Sequence, residues 1–122
     1  MANVDTLPSF LRGLMGRPSL RLPFCAVCGR THPLEQHHVV FRSAGKAYGE
    51  DGRELEKPTI TLCGFGNNLK DTDGRLYCHG LAHARRLHFR WVDEGWGHWE
   101  YLVTDEPTDY LTALGMDGWR RP

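Results

Sequence analysis

Seven residues able to bind metals or move protons crowd into three short windows: Cys25 and Cys28, then His37 and His38, then Cys78, His79 and His83. Read as a helix, the window Cys78-His79-Gly80-Leu81-Ala82-His83 stacks its two histidines on successive turns, where they can chelate one cation. A third ligand from elsewhere would leave coordination positions open for water or substrate. The window Leu34-Glu35-Gln36-His37-His38-Val39-Val40 can supply it. Neighbours on a strand point to opposite faces, so with His37 as the ligand His38 stays free to act as a base.

The thiols form a second constellation. In Phe24-Cys25-Ala26-Val27-Cys28-Gly29 two cysteines sit on a turn suited to one ion, and the glycine that follows permits a positive φ. Cys63 and Cys78 complete a tetrahedral set, which favours structural zinc over a redox pair, because no βαβ pattern surrounds the motif. Fourteen residues separate Cys63 from Cys78. Loop-closure entropy grows slowly with length, so an excursion of that size is acceptable.

Leu-Glu-Gln-His-His-Val after a Cys-x-x-Cys, then Thr-Ile-Thr-Leu-Cys, then Cys-His-x-x-x-His, resembles the zinc-finger-bearing branch of the HNH endonucleases over residues 22 to 91. The resemblance implies an α+β fold: a small ββα-metal core stabilised by a structural four-cysteine zinc site at Cys25, Cys28, Cys63 and Cys78. It also implies one catalytic divalent cation (Mg, Mn, Ni or Zn) held by His37, His79 and His83, with His38 as general base in hydrolysis of a DNA phosphodiester bond. Arg42, Arg85 and Arg86 become candidates for phosphate contacts. Small nucleases of this kind resemble those of bacteriophages and mobile elements, which suggests DNA as substrate and a terminase or other DNA-processing protein as partner. The family's middle Asn is missing here: Pro58 stands in its place, leaving Asn67 or Asn68 as substitutes from the loop. A non-catalytic zinc module that binds nucleic acid or protein is the alternative, and a redox or metal-handling protein a third reading.

These sites need elements to position them. Leu7, Phe10, Leu11 and Leu14 fit a short helix with Thr6 as cap and Pro8 in its first turn, ended by Gly16-Arg17-Pro18. Strands are expected at Pro33 to Phe41, at Thr59 to Cys63 and at Trp99 to Val103, with a long loop at 42 to 57. The site helix is expected to run from Cys78 to Trp91: at about 100° per residue, His79, His83, Arg86 and Arg90 share one arc and Leu81, Ala84, Leu87, His88 and Trp91 another. A capped helix follows at Thr108 to Gly115. The expected division is a basic N-terminal arm at 1–21, the core at 22–92 and an acidic, Trp-rich strand-helix extension at 93–122, all within one domain.

With 122 residues there is room for one domain. The formal charge is zero, but residues 1 to 90 carry 13 Lys and Arg against 8 Asp and Glu, while 91 to 122 carry 2 against 7. The acidity therefore belongs to the tail, and the half that holds the histidines has the sign suited to a polyanion. Met1 to Pro8 has no leader-like apolar run and nothing approaches membrane-spanning length, so a cytoplasmic protein with reduced thiols is expected.

Overall fold

The protein was studied as a computed structural model, which describes residues 4–66 and 68–122. It is a small mixed α+β structure with two separate two-stranded antiparallel sheets.

Strand β1, Leu34–His38, pairs with β2, Thr59–Cys63, in a register that sets His37 opposite Ile60 and His38 opposite Thr59. The alternating, β-branched sequence places β2 at the expected residues. All five of its residues are buried, because the chain covers both its faces and its outer edge. Leu20 runs parallel to Ile60 along that edge, accepting a hydrogen bond from Thr61 N at 3.0 Å and donating one to Thr59 O at 2.8 Å. The buried Thr61 hydroxyl is satisfied by Leu20 O, Leu22 N and the Gln36 side chain.

The N-terminal arm forms a 3-10 helix, Ser9–Leu14, instead of an α-helix. Thr6 does not cap it. Its hydroxyl accepts from Lys46 N at 2.9 Å, while Thr6 N and Leu7 N donate to Lys46 O, tying the arm to the 42–57 loop. Leu7, Leu14 and Met15 are buried in the core, Arg12 pairs with Asp5 at 2.8 Å and Arg17 lies over the Trp91 ring. Two of the arm's three arginines are thus engaged within the fold.

Helix α1 covers only Cys78–His83, which corrects the expected span to Trp91. Arg85 adopts φ 59°, Arg85 N donates to Ala82 O and Arg86 N to Leu81 O. This is the Schellman closure of a helix, with an arginine where glycine is usual. Beyond it, Leu87–Val92 is strand β3, paired with β4 at His98–Val103. The order Leu87-x-Phe89-x-Trp91 has a period of two, and it sets Phe89 opposite Tyr101 and Trp91 edge-on to Trp99, cross-strand aromatic pairs that favour the hairpin. Arg86 and Arg90 therefore do not continue the histidine face of α1. The hairpin also spans the expected boundary at 92–93, so core and extension share one sheet.

Helix α2, Tyr110–Leu114, begins at Asp109, whose carboxylate accepts from Thr112 N at 2.7 Å, and ends at Gly115. Of the tail's tryptophans, Trp99 is buried with its indole donating to Pro18 O, Trp119 lies under Arg90, and Trp96 is fully exposed at the hairpin turn. Among the described residues no helix is long and apolar enough to cross a membrane.

Candidate metal centres

The fourteen residues between Cys63 and Cys78 fold back on themselves. Lys70 bridges Leu76, Tyr77 N donates to Leu69 O, and the Asp71 carboxylate accepts from Asp73 N and Arg75 N at 2.9 Å each. The excursion closes like a purse, and the Sγ atoms of Cys25, Cys28, Cys63 and Cys78 lie within 4.8 Å of one another. Arg30, just after the first pair, donates to Asp71 at 2.8 Å and lies over Tyr77, which pins the excursion to the Cys25–Cys28 turn. Gly29 has the positive φ that this turn requires, at 78°.

Three of the four cysteines are buried and Cys28 is exposed, and all four are free of disulfides. Cys25 is pulled far below the usual thiol range because the Cys63 and Cys78 thiols hydrogen-bond to its thiolate. The donors move the other way, Cys63 to about 11 and Cys78 higher still. Neighbouring sulfurs that hold their protons only by sharing them are the donor set a thiophilic ion replaces with coordinate bonds. The cluster can hold a structural metal ion, and zinc fits its four-sulfur chemistry.

His37, His79 and His83 form the second centre, each offering a ring nitrogen within 4.8 Å of the others. Two glycines let α1 pack this closely against the end of β2 and against the excursion that follows it. A Cβ on Gly64 would meet the His79 Cβ at 2.5 Å, and one on Gly80 would meet the Leu69 Cα at 2.8 Å. His79 Nε2 and His83 Nε2 face each other at 3.2 Å, and the His37 ring stands edge-on to both. Glu35 Oε1 takes the other side of His79, 3.0 Å from Nδ1. With Nδ1 donating to the carboxylate, Nε2 carries the lone pair, the tautomer a metal ligand needs. Burial lowers His37 to about 3, helped by charge on His79 and His83. Burial also lowers the His83 pKa, with a smaller contribution from the neighbouring His79 ring. Three imidazoles converging on one point fit a divalent cation.

His38 lines the same cleft, of about 320 Å³, with Gln36, Phe41 and Arg42. Its ring makes no hydrogen bond among the described residues. Burial, then the nearby Arg42 and Lys57 cations, lowers its pKa. Arg85 lies instead in a neighbouring cavity, and Arg86 lines neither, donating from Nε to Thr104 O at 3.2 Å. Asn67 lies outside the described residues; Asn68 donates its backbone N to Phe65 O. Glu35 is the site residue that spacing alone does not single out. Its only signal is a carboxylate two positions before a strand histidine, on the same face.

Comparison with protein-family models, with curated proteins and with solved structures gives no match for this chain.

Proposed function

We propose that the chain is a metal-dependent endonuclease of the HNH type that hydrolyses DNA phosphodiester bonds, with β1, β2 and α1 as its ββα-metal core. The observation that carries this reading is the unbonded His38 ring beside three convergent imidazoles in one open cleft. A structural metal site needs only closed ligation. An additional neutral imidazole, free of partners and facing the same space, is what a proton-transfer reaction requires.

In this reading His38 takes a proton from a water molecule as its oxygen attacks phosphorus. The bond from phosphorus to the 3′ oxygen breaks, and the leaving oxygen takes a proton from solvent, giving a 3′ hydroxyl and a 5′ phosphate. His38 is suited to the task because its depressed pKa keeps it deprotonated at neutral pH. Arg42, on the same cleft, supplies positive charge for a phosphate oxygen. Glu35 orients His79, and Gly66 N, donating to the same carboxylate oxygen at 2.7 Å, orients Glu35. His37, His79 and His83 would hold the divalent cation, which when bound supplies Lewis-acid stabilisation of charge on the phosphate and leaving oxygen. Pro58, where the family has its middle Asn, is fully buried, so orientation of His38 must come from elsewhere.

The test is plasmid cleavage by zinc-loaded protein with Mg, Mn, Ni or Zn added. His38→Ala should slow cutting by about 100-fold or more while leaving the fold and metal content intact. Wild-type protein that cuts with none of these ions, or a His38→Ala variant that cuts as fast as wild type, would overturn the reading in favour of a zinc-stabilised binding module.

A further inference from the structure

Beside the histidine cleft lies a second, larger cavity of about 550 Å³, and the two share His37 and Phe41 as a common wall. Its volume is in the range of sites that enclose one small organic ligand. Rings make up much of its lining: Phe10, Phe41, Phe89, Tyr110, His37 and His88. Phe10 and Tyr110 approach within 6.4 Å of each other, and His88 and Tyr110 within 6.2 Å. Phe10 and Phe41 remain 44% and 57% exposed, so this aromatic surface is open at the rim.

The polar groups are few. Arg85 reaches the cavity from its positive-φ position, and its guanidinium makes no hydrogen bond or ion pair among the described residues. The Tyr110 hydroxyl makes no hydrogen bond among them either. Asp109 is occupied in capping α2, with one carboxylate oxygen accepting from Thr112 N. Apolar ring walls with a cation held only by the charge of Asp109 and an unbonded hydroxyl match a nucleotide: the walls take the faces of the base and the guanidinium takes a phosphate. A continuous duplex keeps its bases stacked and has nothing to place there.

We infer that this cavity receives one unstacked base of the DNA strand being cut, next to the phosphate at the histidine cleft, so that the preferred substrate is single-stranded or locally unpaired. This rests on the nuclease reading above. Sharing Phe41 and His37, the two spaces are adjacent, so a strand crossing the cleft passes beside the cavity.

Zinc-loaded His38→Ala protein, whose cutting should be slowed by about 100-fold or more, is titrated with a single strand carrying one fluorescent purine analogue, with a duplex bearing the same base in a bulge, and with the perfect duplex. The single strand and the bulge should bind about tenfold more tightly than the perfect duplex, with a change in the analogue's emission. Leu111→Glu, at a 59% exposed rim position, and Phe10→Ala, which removes one wall, should each bring that ratio close to one. Leu111 has no core role, so its variant keeps the test valid if Phe10→Ala folds poorly. Equal binding of bulge and perfect duplex, or a ratio unmoved by Leu111→Glu, overturns the inference. If that happens while wild type still cuts plasmid, the nuclease reading stands alone; if no DNA form binds and none is cut, both fall.

Discussion

Glu35 and His79 are joined by a 3.0 Å contact between Oε1 and Nδ1, and the same oxygen accepts from Gly66 N at 2.7 Å. One carboxylate thus fixes a ring tautomer and is itself fixed by the backbone of the loop after β2. Removing its charge while keeping its shape should loosen ligation without unfolding the sheet. Glu35→Gln is expected to weaken binding of the cation at the histidine cleft by about 10- to 100-fold. Titration of zinc-loaded protein with Ni or Mn, followed by calorimetry, checks this; an unchanged affinity would show that Glu35 is a bystander.

Glycine inside a helix usually costs stability, so Ala in its place ordinarily adds about 1 kcal/mol. At Gly80 the sign should reverse. A Cβ there would press on the backbone of Asn68 and Leu69, with the Leu69 Cα at 2.8 Å, and backbone cannot swing aside as a side chain can. Gly80→Ala is expected to be less stable by about 1–3 kcal/mol, as overpacking typically is. Urea unfolding measures it, and a stabilised variant would mean that α1 does not sit this close to the excursion.

Cys25, Cys63 and Cys78 belong to the same buried cluster as Ile60 and Leu62. Stripping the ion from four thiolates leaves charge or unshared protons in the middle of the core. Structural zinc contributes about 10–16 kcal/mol of apparent binding free energy in small domains, comparable to the whole stability of a chain this size. A strong chelator should therefore unfold the protein cooperatively by circular dichroism, and Cys28→Ser, although Cys28 is exposed, should do so at lower chelator concentration. Full retention of structure in metal-free protein would refute a structural role for the cluster.

The histidines predict an acid sensitivity. His37 is pushed down to about 3 and His88 is also lowered, both chiefly by burial. In the unfolded chain each titrates near the ordinary value of about 6.5. Between that pH and the folded pKa the unfolded state binds more protons, so stability is full above about 6.5 and falls as pH drops, by about 1.4 kcal/mol per pH unit for each proton. Glu100, held low by His98 and Arg90, and Asp71, whose burial is outweighed by Arg30 and the turn amides, lose their contribution only below the ordinary carboxylate pKa of about 4. In the window from about pH 6.5 to 4.5 those carboxylates do not yet contribute to the fall, whereas His38 and His83, also lowered by burial, add to His37 and His88. Urea midpoints across that window should fall more steeply for wild type than for His37→Gln; parallel curves would remove His37 as a cause.

Much of this was legible in the sequence where one period dominates. Thr59-Ile60-Thr61-Leu62-Cys63 alternates and has no competing helical pattern, and its strand falls at those residues. The short capped helix expected at Thr108 to Gly115 likewise falls within those bounds, at Tyr110–Leu114, because its cap and its terminal glycine are local chemistry. The stretch after His83 was not, because Leu87, His88 and Trp91 satisfy a helical arc while Leu87, Phe89 and Trp91 satisfy a strand. Only pairing with His98–Val103, a contact between distant segments, decides between them. The histidine and cysteine sets were visible because ligand types are rare and their spacings are short. The link from Arg30 to Asp71 and the aromatic cavity were not, since each is assembled from segments with no shared pattern.

Cys78 and His79 are consecutive, yet one belongs to the thiol cluster and the other to the imidazole cluster. A single peptide bond therefore ties the two centres together. Gathering the sulfurs fixes the first residue of α1 and with it the place of His79, and an ion at either centre should favour an ion at the other.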